Sequence, residues 1–175
     1  MLPSKFLDKT VAIKIQLFLV IGLTLNIVPA SAQSGASGQL RMTPQEIIVT
    51  KRSGQNAPGS SNLSAVQVVV IHGDPSKPGL YTILLKVAPN TKIPAHLHPD
   101  DRVGTVVSGT WYFGYGDKFD ESKLKQLPVG SIYSEVEDQN HFAMTKNEPV
   151  IAEITGYGPS GVTYVNPQDD PQHKK

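Results

Sequence analysis

The chain has 175 residues, 16 Lys and Arg against 15 Asp and Glu, and no cysteine. That length fits one domain with a tail rather than two full ones. The missing cysteine excludes disulfides, thiolate zinc sites, iron–sulfur clusters and a cysteine nucleophile, and a net charge of +1 argues against a broad basic face for nucleic acid.

The chain opens with Lys5, Lys9 and Lys14, followed by an apolar stretch over residues 15–28 and then Pro29-Ala30-Ser31-Ala32. A positive start, a short apolar centre and a small-x-small ending make a secretory signal, with cleavage expected after Ala32. The apolar stretch contains Gln16, Thr24 and Asn26 and falls short of the roughly 20 residues a spanning helix needs. A periplasmic or secreted location is therefore expected, with no stable membrane span after cleavage. The remaining residues are enough to bury a core without covalent staples.

Residues 33–44 read as a linker, since 33–38 are Gln, Ser, Gly and Ala. The domain is expected over 45–166, and the polar segment 167–175 as a fraying tail. Within the domain, β-type runs rich in Val, Ile, Thr, Tyr and Phe fall at 46–50, 65–71, 80–87, 103–107, 110–115, 131–136, 142–145, 150–155 and 162–165. The segment 53–62 is a loop by composition. Helix signals are few; 120–125 reads as one or two turns with Asp120 as N-cap. So many short strands with almost no helix predict an all-β sandwich or barrel.

The segment richest in chemistry is Ile93-Pro94-Ala95-His96-Leu97-His98-Pro99-Asp100-Asp101-Arg102. In extended backbone, side chains two apart share a face. His96 and His98 therefore project together and can offer two imidazole nitrogens to one ion. The same alternation also suits a solvated strand face. Gly109 follows an apolar strand, where a hairpin turn is expected. Pro128-Val129-Gly130 opens a later strand, and His141 stands in the one after it.

This arrangement resembles the cupin superfamily, over about 80–157. His96 and His98 match the paired histidines of the first cupin motif, and Gly109 its closing glycine. Pro128 and Gly130 match the P-x-G step of the second motif, and His141 its histidine. The resemblance implies an all-β, single-domain jelly-roll barrel, with His96, His98 and His141 converging on a divalent transition metal (Fe, Zn, Mn, Ni or Cu). It implies a small-molecule substrate or ligand and a homodimer paired through edge strands.

Two positions depart from the motifs. Arg102 stands where the first motif has its Glu, and Thr145 where the second has its Asn. Three readings follow: the three histidines alone hold the ion, Asp100 or Asp101 turns inward as the carboxylate, or the metal has been lost. Cupin dioxygenases with three-histidine iron sites are known, so the missing Glu leaves oxygen chemistry open. Arg102 is a candidate catalytic residue that would clamp an anionic substrate at the pocket mouth, or else pair with Asp100 or Asp101 at the surface.

In Trp111-Tyr112-Phe113-Gly114-Tyr115, Trp111, Phe113 and Tyr115 share one face, favouring core or dimer packing over a ligand wall. His72 and His173 read as solvated. The expected function is an exported metal-dependent enzyme, oxygenase-like or hydrolytic. The alternative is a non-catalytic small-molecule or sugar-binding module.

Overall fold

The computed structural model describes residues 39–49 and 57–173. The expected signal, 1–32, lies outside the described residues, as do 33–38 of the expected linker. The domain is built from ten strands: β1 (Val66–His72), β2 (Gly79–Val87), β3 (Lys92–Leu97), β4 (Arg102–Ser108), β5 (Trp111–Tyr115), β6 (Lys125–Leu127), β7 (Ile132–Glu135), β8 (His141–Met144), β9 (Val150–Gly158) and β10 (Thr163–Tyr164).

They form two five-stranded sheets, ordered β1-β2-β9-β4-β7 and β10-β3-β8-β5-β6. Every recorded pairing is antiparallel. The partners nest: β2 with β9, β3 with β8, β4 with β7, and β5 with β6. A single antiparallel ribbon wound over itself produces this jelly-roll order. The two sheets share no strand, so the expected barrel is instead an open sandwich. Of the four outer strands, β1 has seven residues, but β6, β7 and β10 have only three, four and two, too short to carry a hydrogen-bonded closure between sheets. Their shortness also limits the unpaired edge on offer to other chains.

The core lies between the sheets. Tyr81, Ile83 and Leu85 of β2 and Ala152 and Ile154 of β9 meet Ile93 of β3, Trp111 and Phe113 of β5 and Ala143 of β8 in one cluster. In β9 alternate side chains are buried along the whole strand, as a half-buried strand requires. Trp111 and Phe113 point inward at 2% and 4% exposure, whereas Tyr115 is half exposed. The shared face of these three aromatics is therefore core for two of them.

The structure corrects two local expectations. Residues 46–49 of the run 46–50 belong to a helix, α1 (Pro44–Val49), not a strand, and residue 50 lies outside the described residues. Thr43 and Glu46 form a reciprocal capping box, with Thr43 N donating to Glu46 Oε2 at 2.7 Å and Glu46 N to Thr43 Oγ1 at 3.3 Å. That box and Pro44 in the first turn outweigh the β-branched Ile47-Ile48-Val49. The segment 120–125 makes one 3₁₀ turn (Glu121–Lys123) capped by Asp120, within the expected one or two turns, before β6 begins. Gly109 is a corner rather than a hairpin turn, because β4 and β5 lie in different sheets. Residues 167–173 hold two 3₁₀ turns, Pro167–Asp169 and Pro171–His173, the first capped by Asn166. Among the described residues no helix is long and apolar enough to cross a membrane.

One contact between neighbouring strands tests this packing. Gly104 of β4 lies opposite Tyr133 of β7, and a Cβ built on it falls 2.2 Å from Tyr133 Cζ. Tyr133 is 6% exposed, so its ring has no open space to enter. Gly104→Ala should lower stability by roughly 1–3 kcal/mol, the range for overpacked cores. Urea unfolding monitored by tryptophan fluorescence reads this directly; an unchanged midpoint would contradict the packing.

Candidate metal centre

His96 lies near the end of β3, His98 one residue beyond it, and His141 opens β8. The β3–β8 register sets His96 directly against His141. That register shifts between Ile93 and His96, at Pro94, which has no N–H to give to the ladder. The irregularity buries Ala95 and His96 in succession, and normal alternation then turns Leu97 outward and His98 inward. All three imidazoles thus point between the sheets, at 6%, 1% and 1% exposure.

The ring centroids stand 5.0 Å (His96–His98), 4.4 Å (His96–His141) and 5.1 Å (His98–His141) apart. One nitrogen from each ring lies within 4.8 Å of the others. The opposite nitrogens are all occupied. His96 Nδ1 is 2.7 Å from Pro94 O, His98 Nδ1 2.5 Å from Gly161 O, and His141 Nδ1 3.1 Å from Gln139 O. A carbonyl can only accept, so each Nδ1 carries the proton and each Nε2 keeps a free lone pair. His98 Nε2 and His141 Nε2 are buried and have no hydrogen-bond partner. Buried polar atoms are seldom left unpaired. Three deprotonated nitrogens aimed at one point fit a transition-metal ion.

Burial pushes the His96 ring down to about 3 and the His141 ring to about 4. His98 is held well below its ordinary value, first by burial and then by the positive charge of Arg102. All three are therefore neutral near pH 7, the state that ligates metal.

Arg102 is not at a pocket mouth. It is 3% exposed, because it opens β4 directly opposite Glu135, the last residue of β7. Its Nε donates to Glu135 Oε2 at 2.7 Å, its Nη2 to the same oxygen, and its Nη1 to Gly59 O at 2.9 Å. Burial is the largest influence on the Arg102 pKa and acts to lower it, but the charges of Glu135, Tyr81 and Asp100 and the hydrogen bond to Glu135 together raise it, so the guanidinium remains a cation. Glu135 Oε2 also stands 3.6 Å from His98 Nε2 and 3.8 Å from His141 Nε2.

The two aspartates go elsewhere. Asp100 accepts from Tyr81 Oη and Ser160 Oγ, both at 2.7 Å, and Asp101 accepts from Glu137 N at 2.9 Å. Thr145, at the second departure, donates to Ala88 O at 2.6 Å and accepts from Thr91 N at 2.9 Å. It fastens the end of β8 to a turn. His72 and His173 are exposed.

The segment 57–61 covers the site. Arg102 holds it at Gly59 O, and Tyr164 Oη donates to Ser61 O. Gly59 has φ +79°, and a Cβ there would fall 2.8 Å from Arg102 Nη1, so only glycine fits this clasp without strain. The cavity beneath has a volume of about 20 Å³, and Ser61, Phe113, Trp111 and Glu135 line it with the three histidines. That is room for roughly one water-sized group. Ser61 Oγ is buried without a partner.

The sequence motifs point to the three histidines and Arg102 but not to Glu135 or Ser61. A signal for Glu135 was present: in Ile132-Tyr133-Ser134-Glu135, strand alternation sets Glu135 on the same face as Tyr133. An acid on an inward face calls for a partner.

No family model matches the sequence, and no relative is found among curated proteins. Solved structures do align. The polyketide cyclase RemF from Streptomyces resistomycificus superposes with TM-score 0.58 at 15% identity, over 76% of this chain and 89% of that one. A protein with a double-stranded β-helix domain from Klebsiella pneumoniae gives 0.47 at 22% identity, over 57% and 84%. A sugar phosphate isomerase of the cupin superfamily from Silicibacter pomeroyi gives 0.48 at 16% identity, over 65% and 74%. At these identities the likeness is one of fold.

The depressed histidines make a pH prediction for chelator-treated protein. Unfolded histidines titrate near 6.5, above the folded values, so between the two the unfolded chain binds more protons. Stability is then complete above pH 6.5 and falls as the pH drops toward 4. Each ring contributes at most about 1.4 kcal/mol per pH unit. Urea midpoints at pH 7, 6 and 5 should decline progressively; a flat profile would contradict the burial of neutral rings.

Proposed function

We propose that this chain, a cupin by fold, binds one divalent transition metal on His96, His98 and His141 and acts through it on a small polar or anionic molecule. The observation that carries the reading is the set of three Nδ1–carbonyl contacts, which leaves three Nε2 lone pairs facing one cavity. When bound, the ion supplies Lewis acidity toward an oxygen of the ligand.

The chain's own residues do the rest. Ser61 Oγ, unpartnered in the cavity wall, can exchange a hydrogen bond with the bound molecule. Ile93, Phe113 and Ile154 line the cavity and exclude bulk water, which strengthens every charge interaction inside. Arg102 and a divalent ion against the buried carboxylates of Glu135 and Asp100 leave net positive charge, favouring an anionic ligand. With about 20 Å³ available, a substrate larger than water requires segment 57–61 to yield. Hydrolysis and oxygenation both remain compatible with this site.

The enclosed cavity and the internal engagement of Arg102 also favour a second reading, a binding module that holds a small ligand without turnover. Either reading is compatible with a homodimer, for which light scattering is the direct measurement. Residues 1–32 support export. The recovered protein should begin at Gln33, which intact-mass analysis reads; full-length protein outside the cytoplasm would contradict cleavage.

The metal assignment has its own test. Untagged protein should carry close to one equivalent of transition metal by elemental analysis, and a chelator should lower its melting temperature. His96→Ala should abolish bound metal. Substoichiometric metal with no chelator shift, or full metal content in His96→Ala, would overturn it.

A further inference from the structure

We infer that Glu135 is a fourth protein ligand to this metal and that Arg102 is the residue that positions it. The inference rests on the three-histidine reading and extends it to a residue outside the histidine set.

The geometry supplies the first argument. Glu135 Oε2 lies 3.6 Å from His98 Nε2 and 3.8 Å from His141 Nε2. Both separations are too long for hydrogen bonds. They are close to the spacing of atoms that share an ion: two ligands bonded at about 2.1 Å in tetrahedral array stand about 3.4 Å apart. Both nitrogens are buried and unpartnered. A carboxylate oxygen and two bare lone pairs turned toward one another repel unless a cation stands between them.

The second argument is placement. The Glu135 side chain is 5% exposed, and β7 brings it to the cavity from the sheet opposite His96 and His141. Arg102 holds it there through Nε and Nη2, both on Oε2. Two donors from one planar group fix the carboxylate's direction as well as its position. Arg102 cannot itself ligate, since it has donors only. Its effect on the ion passes through Glu135, as residues behind a ligand usually act.

The test uses full-length protein stripped of metal and titrated with Co²⁺, whose visible absorption reports its coordination. Wild type should bind one equivalent with a characteristic spectrum. Glu135→Gln keeps the shape of the side chain and an oxygen for Arg102. It should weaken Co²⁺ binding at least about 100-fold and shift the visible bands. Arg102→Lys should weaken binding by about 10- to 100-fold while retaining bands near those of wild type.

Removing one charge of a buried pair can unfold a protein, so the double variant Arg102→Met/Glu135→Gln is decisive. If Glu135 serves only as the counterion of Arg102, the double variant binds Co²⁺ as wild type does, and the inference is overturned. If Glu135 is a ligand, it binds as weakly as Glu135→Gln. Wild-type affinity and spectrum in Glu135→Gln would also overturn it, leaving the three-histidine reading intact. Failure of wild type to bind any Co²⁺ would defeat that underlying reading instead.

Discussion

Three hydrogen bonds from imidazole Nδ1 to backbone oxygen set the chemistry of this site. Two of the carbonyls, Pro94 O and Gln139 O, lie two residues before the histidine they hold. Local chain geometry therefore aims those rings as soon as the strands form. The third, Gly161 O, comes from the segment between β9 and β10. His98 is oriented only when that segment is in place. Ser160 N donates to Pro75 O at 2.7 Å and Ser160 Oγ to Asp100 at 2.7 Å, so a partly buried polar network fixes the segment. The aim of one ring thus depends on contacts well outside the cavity.

The charges inside the sandwich follow a related logic. The rings are neutral because burial opposes their protonation, and Arg102 adds a positive field against it. Arg102 itself is kept charged by Glu135. A buried ion pair contributes little net stability, while loss of one partner costs about 3–5 kcal/mol. The pair is better understood through its direction: it faces a carboxylate toward two bare imidazole nitrogens. Arg102 also clasps Gly59 O, so the same guanidinium links the carboxylate to the segment closing the cavity.

Much of this was legible in the sequence, and the reasons differ by element. His96 and His98 could be placed together because strand alternation is a local rule. His141 could be added only through the resemblance to cupin motifs, since its meeting with His96 depends on β3–β8 register. The strand β3 does not read as a β-type run, because Pro94 interrupts it and the irregular register there is not written in composition. For Arg102 the sequence offers a clamp at the pocket mouth or a surface pair with Asp100 or Asp101, because its actual partner Glu135 stands thirty-three residues away. The three β-branched residues of α1 read as a strand, and only the capping box before them turns the segment into a helix. Segment 57–61 looked like any polar loop, and only its contacts with Arg102 and Tyr164 show that it roofs the site.

The account stands on three imidazoles sharing one ion, and X-ray absorption at the metal edge of the loaded protein tests this most directly. The account predicts a first shell near 2.0–2.2 Å, with the outer-shell scattering of three imidazole rings and one additional oxygen from carboxylate. A shell of light scatterers without imidazole signatures would show that the ion sits elsewhere. The buried histidines would then be part of the core and nothing more.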